Sequence, residues 1–354
     1  MTEESFGSTP LFQLNLMLFL AWPAPPSFVS PVFRKEGFVL ESIAPPLSTP
    51  LQARARAQAG GLPIGLTARP DVLLRQQDER QFLLIECKKS SFGPGSDTSE
   101  QARALLACSG IYLAERIGLK SPEHWKDFLL YVVTGGQEPQ MQATLQALAL
   151  EMEENHISTS GNGAIGVHIR GDGVYLVNPD SQSAVPVDSL RSTVGKGLRV
   201  MELEEGEDPR PLYLIPLDPS VDVRDPFERR VLEERVRQAL TSLIGSRLDA
   251  SRLEVTMEEI MVAVTEVWEV WEDSSARKGF RNAVRAYVRE VLRRIRRLEV
   301  EVELQEQRFV FKQVTPDVAR RVRRYLTSVA FRRGQIDLWT DAVQLDFGSL
   351  AEEW

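Results

Sequence analysis

Asp71, Glu86 and Lys88 are the residues whose types and spacing could do chemistry. They lie in and beside two apolar runs, DVLLR and QFLLIEC, joined by a short polar turn. A strand buried on both faces reads as nearly continuous apolar residues, and a carboxylate placed in one is costly unless it is paired or binds a metal. If the hairpin turns symmetrically between Asp78 and Glu79, Asp71 stands directly opposite Glu86. Opposed residues of an antiparallel pair share a face with Cβ atoms about 5 Å apart, and Lys88, two residues along, points the same way. Two carboxylates that close repel each other, and a divalent cation between them is the usual remedy. The three histidines, His124, His156 and His168, have no metal-motif spacing. Carboxylate oxygens holding Mg²⁺ or Mn²⁺ are therefore expected, rather than zinc.

The elements that must position these residues follow from periodicity and punctuation. PLQARARAQAGG predicts a helix closed by Gly60. It precedes strand DVLLR, turn QQDER, strand QFLLIECKK, the Gly/Pro/Ser loop SSFGPGSDT and a helix over SEQARALLACSGIYLAERIG. Strand DFLLYVVTGG, helix MQATLQALALEMEEN and the hairpin AIGVHIRGDGVYLVNP come next, so strands and helices mix and the class is α/β or α+β. Residues 23–50 are proline-rich and read as an irregular cover with a short piece around Phe33 to Ser42. TVGKGL lacks the spacing of a phosphate-binding loop, and SGNGAIG lacks the strand-then-helix setting of a dinucleotide fingerprint.

Pro70-Asp71 followed by Glu86-Cys87-Lys88 at the end of a hydrophobic strand resembles the PD-(D/E)xK nuclease superfamily over about residues 60–135. The resemblance implies an α/β, restriction-endonuclease-like mixed sheet flanked by helices, and an endonuclease that hydrolyses DNA phosphodiester bonds. It further implies that Asp71, Glu86 and the Cys87 backbone carbonyl bind the metal, and that Lys88 positions or activates the attacking water. Gln101 matches a glutamine that some members place near that water, although Leu105 stands where a tyrosine usually follows. Many members add an upstream glutamate; Glu36 and Glu41 are the candidates, with Glu41 preferred. The competing reading is a surface hairpin with an ordinary Glu86–Lys88 ion pair. Cys87 as a nucleophile would need a nearby base, and a packed cysteine is the expectation.

Downstream of the proline-punctuated, acidic stretch from Met201, the chain turns mostly helical. Residues 1–215 are expected to form the nuclease-like domain, 216–225 a linker and 226–354 a second domain. Arg277, Arg281, Arg285, Arg289, Arg293 and Arg297 recur every fourth position of one helix, beside an apolar face of Phe280, Val284, Tyr287, Val288, Val291 and Ile295. The preceding helix, read as running from Thr256 to Asp273, opens with a Thr256–Glu259 capping box. The order helix, short strand, helix, helix, hairpin is that of a winged helix, with the arginine helix in the recognition position and Gln305–Gln307 at the wing tip. Such a ridge suits phosphate contacts. Alternatively its arginines pair with the acidic helix carrying Glu258, Glu259, Glu266, Glu269 and Glu272, or form a solvated face.

Composition bounds the function. The chain has 354 residues and a formal charge of -8, which argues against coating nucleic acid by bulk charge. Residues 1–225 hold 19 basic against 28 acidic residues, and residues 226–354 hold 23 against 22. A catalytic half of that sign is repelled by DNA at long range, so a protein partner or a second copy is expected to supply affinity. Two cysteines give no disulfide framework and suit a reducing cytoplasm. The run LFQLNLMLFLAW is too short to span a membrane and has acids rather than bases before it, so no membrane role is expected. It reads as a buried element or a subunit contact, and Leu11–Trp22 is the surface nominated for the partner. A mobile-element or defence nuclease fits these expectations; the rival is a non-catalytic nuclease-fold subunit that binds DNA or a protein.

Overall fold

The computed structural model describes residues 9–180, 185–204, 213–216, 226–248, 253–305 and 307–328, with the side chains of 226–230 left aside. The chain forms two compact units: residues 1–214 together with Val270–Asp273, and residues 215–269 together with 274–354. The expected linker lies, from residue 217 onward, outside the described residues.

The first unit is an α/β fold around a curled, mixed sheet. Its elements are α1 (Pro10–Ala21), α2 (Val32–Lys35), β1 (Phe38–Ile43), β2 (Leu47–Ser48), α3 (Leu51–Gly60), β3 (Thr67–Ala68), β4 (Val72–Gln76), β5 (Gln81–Lys88), α4 (Asp97–Leu106), α5 (Gly110–Arg116), β6 (Lys126–Thr134), α6 (Glu138–Glu154), β7 (Gly161–Arg170), β8 (Gly173–Val177), α7 (Asp188–Ser192) and β9 (Leu198–Glu202). Seven strands pair in the order β1-β4-β5-β6-β7-β8-β9. The β5-β6-β7 centre is parallel and both flanks are antiparallel. Parallel neighbours need crossover connections, which α4 and α5 provide between β5 and β6, and α6 between β6 and β7.

Alternate residues of the central strands face the helices. Phe82 and Leu84 of β5, Leu129, Tyr131 and Val133 of β6 and Ala164 of β7 form one core with Ala102, Leu105 and Leu106 of α4 and Met141, Leu145 and Leu148 of α6. The other face is covered by α1, which packs on β1, β4 and β5. Leu11, Phe12 and Leu16–Ala21 are all buried there, so the apolar N-terminal run is spent inside its own unit. That corrects its nomination as a partner-binding surface: an uncharged helix apolar on nearly every side is a core helix.

Two helices differ from expectation. The helix expected from Ser99 to Gly118 is broken, because the Ser109 side chain caps a new helix, α5, by accepting from Tyr112 N at 3.2 Å. Gly110 lies so close to the chain at Trp125 that a Cβ would stand 2.3 Å from its carbonyl oxygen. The Ser160 hydroxyl meanwhile bonds the freed carbonyls of Leu106 and Cys108 at 3.1 and 3.0 Å. The helix read from Thr256 stops at Val264.

The second unit contains α8 (Pro226–Gly245), β10 (Leu253–Thr256), α9 (Met257–Val264), α10 (Ser274–Arg296), β11 (Val302–Leu304), β12 (Arg308–Phe311) and α11 (Pro316–Thr327). Its three strands form an antiparallel sheet in the order β10-β12-β11. Phe280, Val284, Val288, Val291, Leu292 and Ile295 are the buried stripe of α10. Among the described residues no helix is long and apolar enough to cross a membrane.

Candidate active site

The β4–β5 ladder pairs Val72 with Ile85 and Gln76 with Gln81, the register expected from a symmetrical turn. Continued by one residue, it places Asp71 across from Glu86. The carboxylate of Asp71 caps the end of the ladder, its Oδ2 accepting from the Cys87 backbone N–H at 2.6 Å. In a strand the N–H and C=O of one residue face the same neighbour, so the Cys87 carbonyl opens toward the edge where Asp71 sits. The Cys87 thiol is buried among the core residues. Burial, reinforced by the charges of Asp71 and Glu86, pushes it well above the usual thiol range, which makes it a poor nucleophile.

Glu86 is 2% exposed. Its Oε1 lies 2.7 Å from Lys88 Nζ and accepts from Gln101 Nε2 at 3.2 Å. Burial raises its pKa; Lys88, the Asp71 backbone amide and Gln101 pull it back without cancelling that effect. For Lys88, burial acts downward, but the charge and hydrogen bond of Glu86 outweigh it and the pKa rises, so the side chain stays an ammonium. The second oxygen of Glu86, Oε2, is buried and has no hydrogen-bond partner. Leaving such an atom bare costs about 1–3 kcal/mol, more for a charged group.

Gln101 reaches this point because α4 is fixed at its base. Buried Arg103 donates to the carbonyls of Pro63 and Pro94, each at 3.0 Å, and pairs with Glu151 of α6 at 2.8 Å. Asp71, Glu86, Lys88 and Gln101 therefore gather at the C-terminal end of β5, the edge of a parallel sheet where ligands bind in α/β folds. Residues unremarked in the sequence reading frame the site. Tyr131, paired with Glu86 across β5 and β6, is buried with its hydroxyl lacking a partner. Burial, then the charges of Glu86 and Asp71, push that phenol well above its usual range. Gln13 of α1, with its amide oriented to satisfy its surroundings, donates to the carbonyls of Lys88 at 3.2 Å and Val132 at 3.3 Å, tying the ends of β5 and β6 together. The available signal was a polar residue inside an apolar run, which indicates a satisfied buried amide as well as a segment unfit for a membrane.

Neither upstream glutamate joins the site. Glu41 sits at the irregularity of β1, between Leu40 and Ser42, and is held by Arg75 at 2.7 Å. Glu36 caps α7, accepting from the backbone N–H groups of Asp188 and Ser189 at 2.6 and 2.9 Å. A carboxylate at a helix N-terminus satisfies otherwise unpaired amides, which is why Glu36 is drawn there. Among the described residues no cluster of three or more His, Cys, Asp or Glu side chains forms a metal cage. Among the described residues, Asp71 and Glu86 are the carboxylates gathered at the end of β5.

In the second unit the arginine column is partly spent on its own fold. Arg277 and Arg281 stack on Trp268, 4.2 and 5.3 Å from the ring centre, and Arg281 also pairs with Glu258 at 2.9 Å. Arg293 and Arg294 pair with Glu290 at 2.5 and 3.1 Å. Burial, then the neighbouring charge of Arg285, lowers the Arg289 pKa. Arg285 is half-buried with a bare Nε, and Arg297 is exposed. Comparisons with protein-family models, with curated proteins and with solved structures find no match to this chain.

Proposed function

We propose that this chain is a metal-dependent endonuclease that hydrolyses DNA phosphodiester bonds, its first unit restriction-endonuclease-like and its second winged-helix-like. The observation that carries the reading is the bare, buried Oε2 of Glu86, beside Asp71 and on the same sheet face as an ammonium held by the other oxygen. An apolar strand retains such a carboxylate at a cost to stability, and a cation completes it.

The residues fit Mg²⁺ or Mn²⁺. Mg²⁺ is usually held by one or two carboxylates, with waters and substrate phosphate oxygens filling its shell. Glu86, Asp71 and the Cys87 carbonyl would hold it. When bound, such an ion polarises the phosphate and lowers the pKa of a coordinated water. Lys88, held by Oε1 of Glu86, is placed to position or activate the attacking water or to meet a phosphate oxygen. Gln101, anchored on Glu86, orients the same water. The helix, strand, helix, helix, hairpin order of the second unit supports a winged-helix reading, and Arg285 and Arg297 are the arginines with fewest internal ties for phosphate contact.

A second reading is favoured by the missing third acid and by the engagement of Asp71 with the Cys87 amide: a nuclease-fold subunit that binds DNA or a protein without cutting. The purified chain is incubated with supercoiled plasmid, linear duplex, single-stranded DNA and RNA, in Mg²⁺ or Mn²⁺ and in EDTA. Metal-dependent nicking that disappears in Asp71→Ala supports the enzyme. DNA binding with no cleavage of any substrate supports the subunit.

A further inference from the structure

A second cluster of titratable side chains stands on the same sheet face as Glu86 and Lys88, and the chemistry above does not use it. Glu86, Tyr131 and Ala164 are in register across β5, β6 and β7, followed by Lys88, Val133 and Gly166. The next residue of β7 on that face is His168. It lies two strands from Lys88, about 10 Å at the usual strand spacing, and one step nearer the C-terminal edge. Its ring Nε2 is 2.9 Å from Oε1 of Glu138, the first residue of α6.

Glu138 is 5% exposed, and its second oxygen accepts from the Gly136 N–H at 2.6 Å. Both oxygens are committed, so the carboxylate is fixed and fixes the ring. Two glycines make the space. A Cβ on Gly166 would stand 2.4 Å from Glu138 Oε2 and 2.9 Å from His168 Nε2, and one on Gly135 would stand 2.7 Å from the His168 ring. Neither glycine has a positive φ, so each is needed for room and not for its dihedral freedom. Glycine in a strand interior weakens it and marks close approach.

The His168 side chain is 28% exposed, and among the described residues it is hydrogen-bonded through Nε2 alone. Nδ1 is left to meet a ligand. A carboxylate that sets one ring nitrogen determines what the other can offer. We infer that His168, oriented by Glu138, is a phosphate-contacting residue that binds the nucleic-acid backbone flanking the site of cleavage; because Nε2–H is given to the Glu138 carboxylate, it is the imidazolium form whose Nδ1 donates to a phosphate oxygen. The inference rests on the nuclease reading for its ligand. The charge of the first 225 residues, 19 basic against 28 acidic, makes individual donors at this edge matter more than the general field.

The test reads binding apart from cleavage. Histidine NMR of the full chain is followed as a short duplex oligonucleotide is added in EDTA; with only three histidines, loss of one signal in His168→Gln assigns it. The expected result is a shift of the His168 resonance with His124 and His156 unmoved. In parallel, His168→Ala should weaken duplex binding about tenfold and reduce the salt dependence by about one unit of slope, while His168→Lys recovers most of the affinity. An unmoved His168 resonance, or a lower melting temperature with unchanged affinity, overturns the inference and leaves the nuclease reading standing. Binding that depends on His168 without cleavage in Mg²⁺ or Mn²⁺ supports the inference and overturns the nuclease reading. A wild-type chain that binds no nucleic acid overturns both.

Discussion

Two glutamates, one in each unit, are treated in opposite ways. Glu259 stands at the start of α9 with a side chain 38% exposed, and every hydrogen-bonding need is met. Arg247 donates to one oxygen at 2.6 Å, while the Thr256 N–H and hydroxyl donate to the other at 2.7 and 2.8 Å. The Arg247 hydrogen bond, helped by Thr256, holds its pKa down to about 2. Glu86 is buried, shares one oxygen between Lys88 and Gln101, and has nothing on the other, so its pKa is raised. The first arrangement stabilises a fold as it stands. The second leaves a buried acid half-satisfied at a cost to stability, and it is this cost that the proposed metal site would offset.

The largest effect that sharpens this contrast is on turnover. Glu86→Ala or Asp71→Ala should lower DNA cleavage by about a thousandfold or more, since removing a metal ligand withdraws several kcal/mol of charge stabilisation. Glu259→Ala should leave the rate within about twofold. Equal losses in a plasmid-nicking assay would erase the distinction between the two acids.

Metal should stabilise the first unit. At a concentration about a hundred times its Kd, Mn²⁺ should add about 2.7 kcal/mol over EDTA in urea melts, and Glu86→Gln should lose that gain. The sign of the pH dependence follows from the raised pKa. In metal-free protein the favourable contribution is present below the ordinary carboxylate range and is lost as pH rises through the raised value, because ionising a buried, half-satisfied acid is unfavourable. The metal-induced gain should therefore grow as pH rises over the same window.

The second unit should respond in the reverse direction and by less. Glu259 has a depressed pKa, so its contribution is present above the ordinary carboxylate range and is lost as pH falls through about 2. Thr256→Ala, which removes the N-cap, should cost about 1 kcal/mol in urea melts at neutral pH. No change would mean that the capping box is not what holds α9.

The smallest expected stability effect is in the arginine column. Arg281→Ala loses an ion pair with Glu258, worth about 0.5 kcal/mol, together with its stacking on Trp268. Arg285→Ala loses no such pair and should leave stability unchanged while weakening binding to all DNA sequences equally, with about one unit less salt slope. Thermal melts and fluorescence anisotropy separate the two roles, and identical behaviour of both variants would collapse the distinction.

The sequence by itself determined whatever repeats at short range. The short polar turn between DVLLR and QFLLIEC dictated the register from Val72–Ile85 to Gln76–Gln81, because the length and type of a hairpin turn set which residues stand opposite each other. From that register came the convergence of Asp71, Glu86 and Lys88. The capping box of α9 was legible for the same reason, its partners being three residues apart. Tertiary structure alone decided which distant group meets which. Gln13 reaches the carbonyls of Lys88 and Val132, Glu36 caps α7, Arg75 takes Glu41, and Glu138 holds His168. The apolar run at Leu11 could have covered a partner or its own sheet, and packing on β1, β4 and β5 buried it. Periodicity fixes which face a side chain takes, whereas the buried polar groups on that face find their partners only when the chain closes on itself and each must be satisfied or left bare.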